Sequence, residues 1–79
     1  GSGISYFPNP FSENLTVTSK NGFHSANLTL YNSLGEKVME KNNLSGAQLN
    51  LNRNNLPAGI YFIRITDGEK CFSGKVIIE

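Results

Sequence analysis

A lone cysteine, Cys71, leaves this 79-residue chain without an internal disulfide. Stability must therefore come from packing, with no covalent staple. Histidine is equally scarce, His24 being the one copy. No acidic residue adjoins either side chain in sequence, so no nucleophile–base–acid set is read and Cys71 is expected as a half-buried thiol acting as a small hydrophobe. His, Cys and the single Asp67 lie far apart, so no metal site is expected, and the absence of glycine-rich phosphate loops leaves no cofactor to expect. Charge is scarce and balanced: seven Lys and Arg against six Asp and Glu, net +1. Scattered cations of that kind do not make a nucleic-acid footprint. No apolar stretch is long enough to cross a bilayer as a helix, and no secretory leader is read.

What the chain does have is alternation. Leu15 and Val17 alternate with threonines, Leu28 and Leu30 with Thr29 and Tyr31, Leu49 and Leu51 with asparagines, and Tyr61, Ile63 and Ile65 with Phe62, Arg64 and Thr66. A period of two sends one set to a core and the other to solvent. Turn signals punctuate the pattern at Asn21-Gly22, Asn32-Ser33-Leu34-Gly35, Leu44-Ser45-Gly46, Leu56-Pro57-Ala58-Gly59 and Asp67-Gly68. Short strands so spaced predict an all-β fold, a small antiparallel immunoglobulin-like β-sandwich of about seven strands. The expected core is Leu15, Val17, Leu28, Leu30, Val38, Leu49, Leu51, Tyr61, Ile63, Ile65, Val76 and Ile78. Val38 and Met39 cannot both point inward in a regular strand, so a bulge or an edge is expected there. Phe23, Tyr31, Phe62 and Phe72 form the expected outward aromatic set.

Three stretches stand out: Pro8-Asn9-Pro10-Phe11, Leu56-Pro57-Ala58-Gly59-Ile60-Tyr61, and Gly74-Lys75-Val76-Ile77-Ile78-Glu79. Asn9 between two prolines cannot be helical, because a residue before proline is pushed to extended backbone. Its side chain is expected to bond local backbone in a turn. Two fixed φ angles would set the path into the first sandwich strand. Phe7-Pro8-Asn9-Pro10-Phe11, the Leu34-Gly35-Glu36-Lys37-Val38 turn, Leu56 with Gly59 and Tyr61, and Lys75-Val76-Ile77-Ile78 fall in one order and spacing. Together they resemble the type A C-terminal sorting domain of the type IX, or Por, secretion system. The resemblance runs from about Tyr6 to Glu79; Glu79 departs from the basic or neutral last residue of many relatives.

That resemblance implies an address label rather than an enzyme. Residues 1–3 are read as a cloning remnant and residues 4–79 as a single sorting domain. The implied partners are the outer-membrane type IX translocon, its processing protease, and an N-terminal cargo domain. The implied route is through the periplasm to the cell surface or the medium of a Gram-negative bacterium. The residues implied in recognition are Pro8, Asn9, Pro10, Gly35, Gly59, Tyr61, Lys75, Val76, Ile77 and Ile78. The strand from Lys75 to Ile78 is expected to end freely and to offer an open edge for β-augmentation, while Val76 and Ile78 could equally complete the core. The alternative is a non-catalytic carbohydrate-binding or adhesive module that stacks sugars on Tyr31, Phe62 and Phe23. Three glycosylation-type triplets begin at Asn14, Asn27 and Asn43 and are read as chance, with surface asparagine serving turns instead.

Overall fold

The computed structural model describes residues 3–79, so the first two residues of the expected cloning remnant lie outside the described part. All regular structure among the described residues is strand: β1 (Ile4–Phe7), β2 (Asn14–Asn32), β3 (Lys37–Asn52), β4 (Gly59–Asp67) and β5 (Lys70–Ile78). Every strand pairing is antiparallel, in the order β1-β2-β4-β5 with β3 on β2.

The 19 residues of β2 would reach about 60 Å if extended straight. The long axis of the molecule is 31 Å. β2 must therefore bend, and its register against β3 shows where. Shifts fall between Thr18 and Phe23, between Phe23 and Ala26, and between Ala26 and Leu28. Extra residues on one strand bend it and sharpen its twist. Gly22 takes φ 76°, and on the facing strand Gly46 takes φ 130°. A side chain at Gly22 would also come within 3.2 Å of the Gly46 carbonyl oxygen.

Asn21-Gly22 and Leu44-Ser45-Gly46 are thus not the hairpin turns expected. Phe23 pairs with Gly46 and Ala26 with Leu44, so the two signals face each other inside one continuous ladder. The strand count is five rather than about seven for this reason, and the immunoglobulin-like count is not met. The all-β antiparallel class is as expected. The first part of β2 pairs with β1 and the end of β3; its second part pairs with the start of β3 and with β4. The bent sheet closes on one core drawn from both parts.

Eleven of the twelve expected core residues are buried; Val38 is half-buried. Leu30 pairs with Met39 and Tyr31 with Lys37, which leaves Val38 as the extra residue of the expected bulge. Phe11, Phe23 and Ala26 join the core unexpectedly. Phe23 is only 2% exposed, a correction to its outward assignment. A bulge stands in place of the expected turn: it interrupts the period of two after Val17, leaving Asn21 exposed, and returns the strand to the ladder with Phe23 inward, opposite Gly46. Ser25, at φ 55°, then shifts the phase so that Ala26, Leu28 and Leu30 point inward. Phe72 is also not outward: it shares the face of Val76 and meets the Tyr6 ring edge-to-face at 5.9 Å. Cys71 is exposed rather than half-buried.

Phe23→Ala is expected to cost about 3–5 kcal/mol by emptying a core site, whereas Phe62→Ala on the surface should stay within about 0.5 kcal/mol. Thermal or urea denaturation of the two variants checks this; equal losses would put Phe23 on the surface.

Candidate functional site

The Pro8-Asn9-Pro10 segment leaves β1 and crosses to the last strand. Both of its X–Pro bonds are cis. The Asn9 side chain does not bond local backbone as expected. Its amide nitrogen donates to the Lys75 carbonyl at 3.3 Å, and its Oδ1 accepts from the Ile77 N–H at 2.9 Å. Phe11 continues the same contact: its N–H donates to the Ile77 carbonyl, and its carbonyl accepts from the Glu79 N–H, both at 2.9 Å. A short parallel bridge, Phe11 to Ile78, results.

The closing strand is therefore not the open edge expected. From Lys75 to Glu79 its outward backbone groups are taken by Asn9 and Phe11. Tyr6 adds a third partner, its hydroxyl donating to the Lys75 carbonyl at 2.8 Å. That ring passes over Gly74, where a Cβ would come within 2.7 Å of the Tyr6 hydroxyl oxygen. Glycine at 74 is thus explained by close approach rather than by backbone angle.

Arg53 fastens the same corner and carries no signal that sequence reasoning could use. One terminal nitrogen donates to the Ser12 carbonyl at 2.9 Å and to the main-chain oxygen of Glu79 at 2.7 Å. Nε and the other terminal nitrogen both donate to the Leu56 carbonyl. Such a fork suits a guanidinium and no other side chain. The Leu56-Pro57-Ala58-Gly59 loop is closed from its far side by Tyr61, whose hydroxyl donates to the Pro57 carbonyl at 2.6 Å. A tyrosine bonding backbone a few residues upstream is a recurrent way to fix the corner of a β-fold. The turn before β3 is fixed by Asn32, whose Oδ1 accepts from the N–H groups of Leu34 and Glu36, each at 2.9 Å.

Strand register gathers the motif residues. Gly59 lies opposite Ile78 and Tyr61 opposite Val76. Asn32, at the mouth of the Gly35 turn, lies opposite Tyr61. Nine of the ten residues implied by the resemblance thus meet where β4 begins, β5 ends and Asn9 crosses, and Gly35 lies in the turn beyond the same end of β2. They divide by burial. Tyr61, Val76 and Ile78 are core. Ile77 is half-buried, and Pro8, Asn9, Pro10, Gly35, Gly59 and Lys75 are exposed. A cleft of about 770 Å³ lies elsewhere, between the bend of β2 and the β4–β5 hairpin, and none of the ten lines it. Its size does not make it the site, since the motif lies at the other end of the strands. The sugar-stacking trio of the alternative reading is not assembled either, because Phe23 is buried.

Over residues 5–79 the chain matches the family described as the secretion system C-terminal sorting domain, and it belongs to that family. The domain is a sorting signal of type IX secretion, attached to an N-terminal cargo, recognised by that system, and directing export to the cell surface or the medium. No curated protein matches the chain.

Asn9→Ala should free the outward groups of Lys75 and Ile77 and cost about 1 kcal/mol. Faster hydrogen exchange at the Ile77 amide, with the core amides still protected, is the expected signature. Arg53→Ala, which strips three carbonyl partners, should cost about 1.5–3 kcal/mol. A melting temperature unchanged in both variants would show that the corner holds without these bonds.

Proposed function

We propose that the machinery reads the strand-end surface itself: Pro8, Asn9, Pro10, Gly35, Gly59, Lys75 and Ile77 as contacts, with Tyr61, Val76 and Ile78 holding them from the core. The reader in this proposal is the outer-membrane translocon, met after passage through the periplasm. A processing protease then cuts upstream of a domain spanning residues 4–79. The observation that supports this reading is the convergence of motifs from both ends of the chain, residues 66 to 69 positions apart in sequence, on one corner. A corner of that kind is a surface to be recognised. No group of three or more His, Cys, Asp or Glu that could hold a metal occurs among the described residues.

A partner that adds a strand along Lys75 to Ile78 must first displace Asn9 and Phe11. Contact with the covered corner as it stands requires no such displacement, so the proposal places recognition on side chains and turns at the corner.

The test is a periplasmic reporter carrying this domain at its carboxyl end in a host with the type IX machinery. Export of the reporter is expected, and deletion of Lys75 to Glu79 should abolish it. Because the deletion also removes core residues Val76 and Ile78, Lys75→Ala provides the finer arm. A surface lysine should cost within about 0.5 kcal/mol, so lost export with an unchanged melting temperature marks direct recognition. Normal export of the deletion variant would overturn the proposal.

A further inference from the structure

The outward face of β3, β2, β4 and β5 carries a row of side chains in which two aromatics outside the sorting motif, Tyr31 and Phe62, stand between motif lysines. Tyr31 lies opposite Lys37 on one side and Phe62 on the other, and Phe62 lies opposite Lys75. Cross-strand partners project from the same face. The row therefore reads cation, aromatic, aromatic, cation. Arg64 follows in the next row, opposite Thr29 and Ser73. Phe62 is 44% exposed, and its neighbour along the strand on that face, Ile60, is 46% exposed. Tyr31, Phe62, Arg64 and Lys75 line one shallow groove of about 380 Å³.

The charge on this face is unbalanced. Among the described residues the one ion pair is Lys37 with Glu40, at 3.4 Å. Both partners are about half exposed, 55% and 45%; such a pair is worth at most about 1 kcal/mol, so Lys37 is readily released. Neither Arg64 nor Lys75 makes an ion pair among the described residues, and Glu40, opposite Thr29 in the row of Arg64, is the carboxylate held by Lys37. The Cys71 side chain first, and the Tyr31 side chain after it, raise Arg64 above its ordinary value, so it stays a cation throughout.

Spacing narrows the occupant. Four neighbouring strands set Lys37 and Lys75 about 14 Å apart at their backbones, three interstrand steps. In an extended segment, alternate residues share a side and recur about every 6.7 Å. Residues i and i+4 therefore span about 13–14 Å, with residue i+2 over the middle. We infer that this face docks an extended protein segment of the pattern acidic–x–apolar–x–acidic, its carboxylates on Lys37 and Lys75 and its apolar side chain between Tyr31 and Phe62. An aromatic pair flanked by two cations favours such a segment over a single anionic headgroup, which would meet one cation and leave both rings wet.

The inference deepens the sorting proposal by giving the chemistry of the partner, and it rests on that proposal for who the partner is. The two fail separately: reporter export by the intact domain tests sorting without reference to this face, and a titration of the purified domain tests the face without reference to export. The probe is the peptide Gly-Glu-Gly-Phe-Gly-Glu-Gly, added to labelled domain while amide shifts are followed by NMR. Saturable shifts centred on Tyr31, Phe62, Arg64 and Lys75 are expected. The affinity should fall about tenfold when both glutamates are replaced by lysine, and should weaken as salt shortens the screening length. Phe62→Ala and Lys75→Gln should each weaken binding at least about fivefold with amide dispersion retained. Shifts scattered over the surface or centred on the cleft by His24 would overturn the inference, as would equal affinity for the lysine peptide. So would binding of phosphatidylglycerol vesicles through Phe62 and Lys75 by a domain that ignores the peptide.

Discussion

The contact of Asn9 and Phe11 with the end of β5 is the constraint on which the rest of this small fold depends. A chain with one cysteine has no covalent way to join its ends. Here the joining is done by backbone groups and one carboxamide, with Arg53 reaching both sides of the seam. The seam also solves an edge problem. A closing strand that runs Val76-Ile77-Ile78 would otherwise offer a template to any passing chain. Asn9 fits the role because one side chain supplies both a donor and an acceptor, as a backbone peptide does. Its neighbouring prolines have no N–H to leave unpaired. Contacts between residues 66 to 69 positions apart close most of the chain into one loop. The entropy of that closure must be offset by the sheet that lies between.

The second constraint is length. Two strands of 19 and 16 residues cannot lie straight in a molecule 31 Å long. The bend is placed where backbone with positive φ is available on both strands: Gly22 and Ser25 on one, Asn43 and Gly46 on the other. The freed polar groups are not abandoned. The Ser25 N–H donates to the Ser45 hydroxyl at 2.9 Å, and the Asn43 N–H to Asn27 Oδ1 at 3.3 Å. In the regular part of the sheet, away from the bend, the Asn52 side-chain amide donates to Asn14 Oδ1 at 3.0 Å. Asn27 shows how a carboxamide can stand in for a ladder bond that a bulge interrupts.

How much of this was legible in the sequence follows from which interactions are local. The period of two named eleven buried residues because inward and outward alternation is a property of each strand alone. The Val38–Met39 bulge was legible for the same reason, since two adjacent apolar residues break the period. Asn21-Gly22 was misread because a dipeptide that permits φ > 0 fits a hairpin turn and a bulge equally well, and only the facing Gly46 decides between them. With Leu44-Ser45-Gly46, misread in the same way, it raised the strand count. The roles of Asn9, Phe11 and Arg53 were not legible at all, for their partners lie at the other end of the chain. The ten motif residues were legible as a set, through family resemblance, but their division into core and surface needed the register of β4 against β5.

That division bears on how a folded domain can serve as an address. Had the motif been a linear signal, its residues would face outward together and their positions in the core would be incidental. Instead Tyr61, Val76 and Ile78 are buried beneath the corner that Asn9, Gly59 and Lys75 present. Substitution of a buried member would disturb the exposed members through packing, since close-packed interiors transmit strain. The corner exists only when the first and last segments have met, which requires the bent sheet between them to be complete. Under the proposed reading, a partner that touches Asn9 and Lys75 at once therefore reads the folded state of the domain as well as its identity. An unfolded tail with the same sequence would present Pro8-Asn9-Pro10 and Lys75 too far apart to be engaged together.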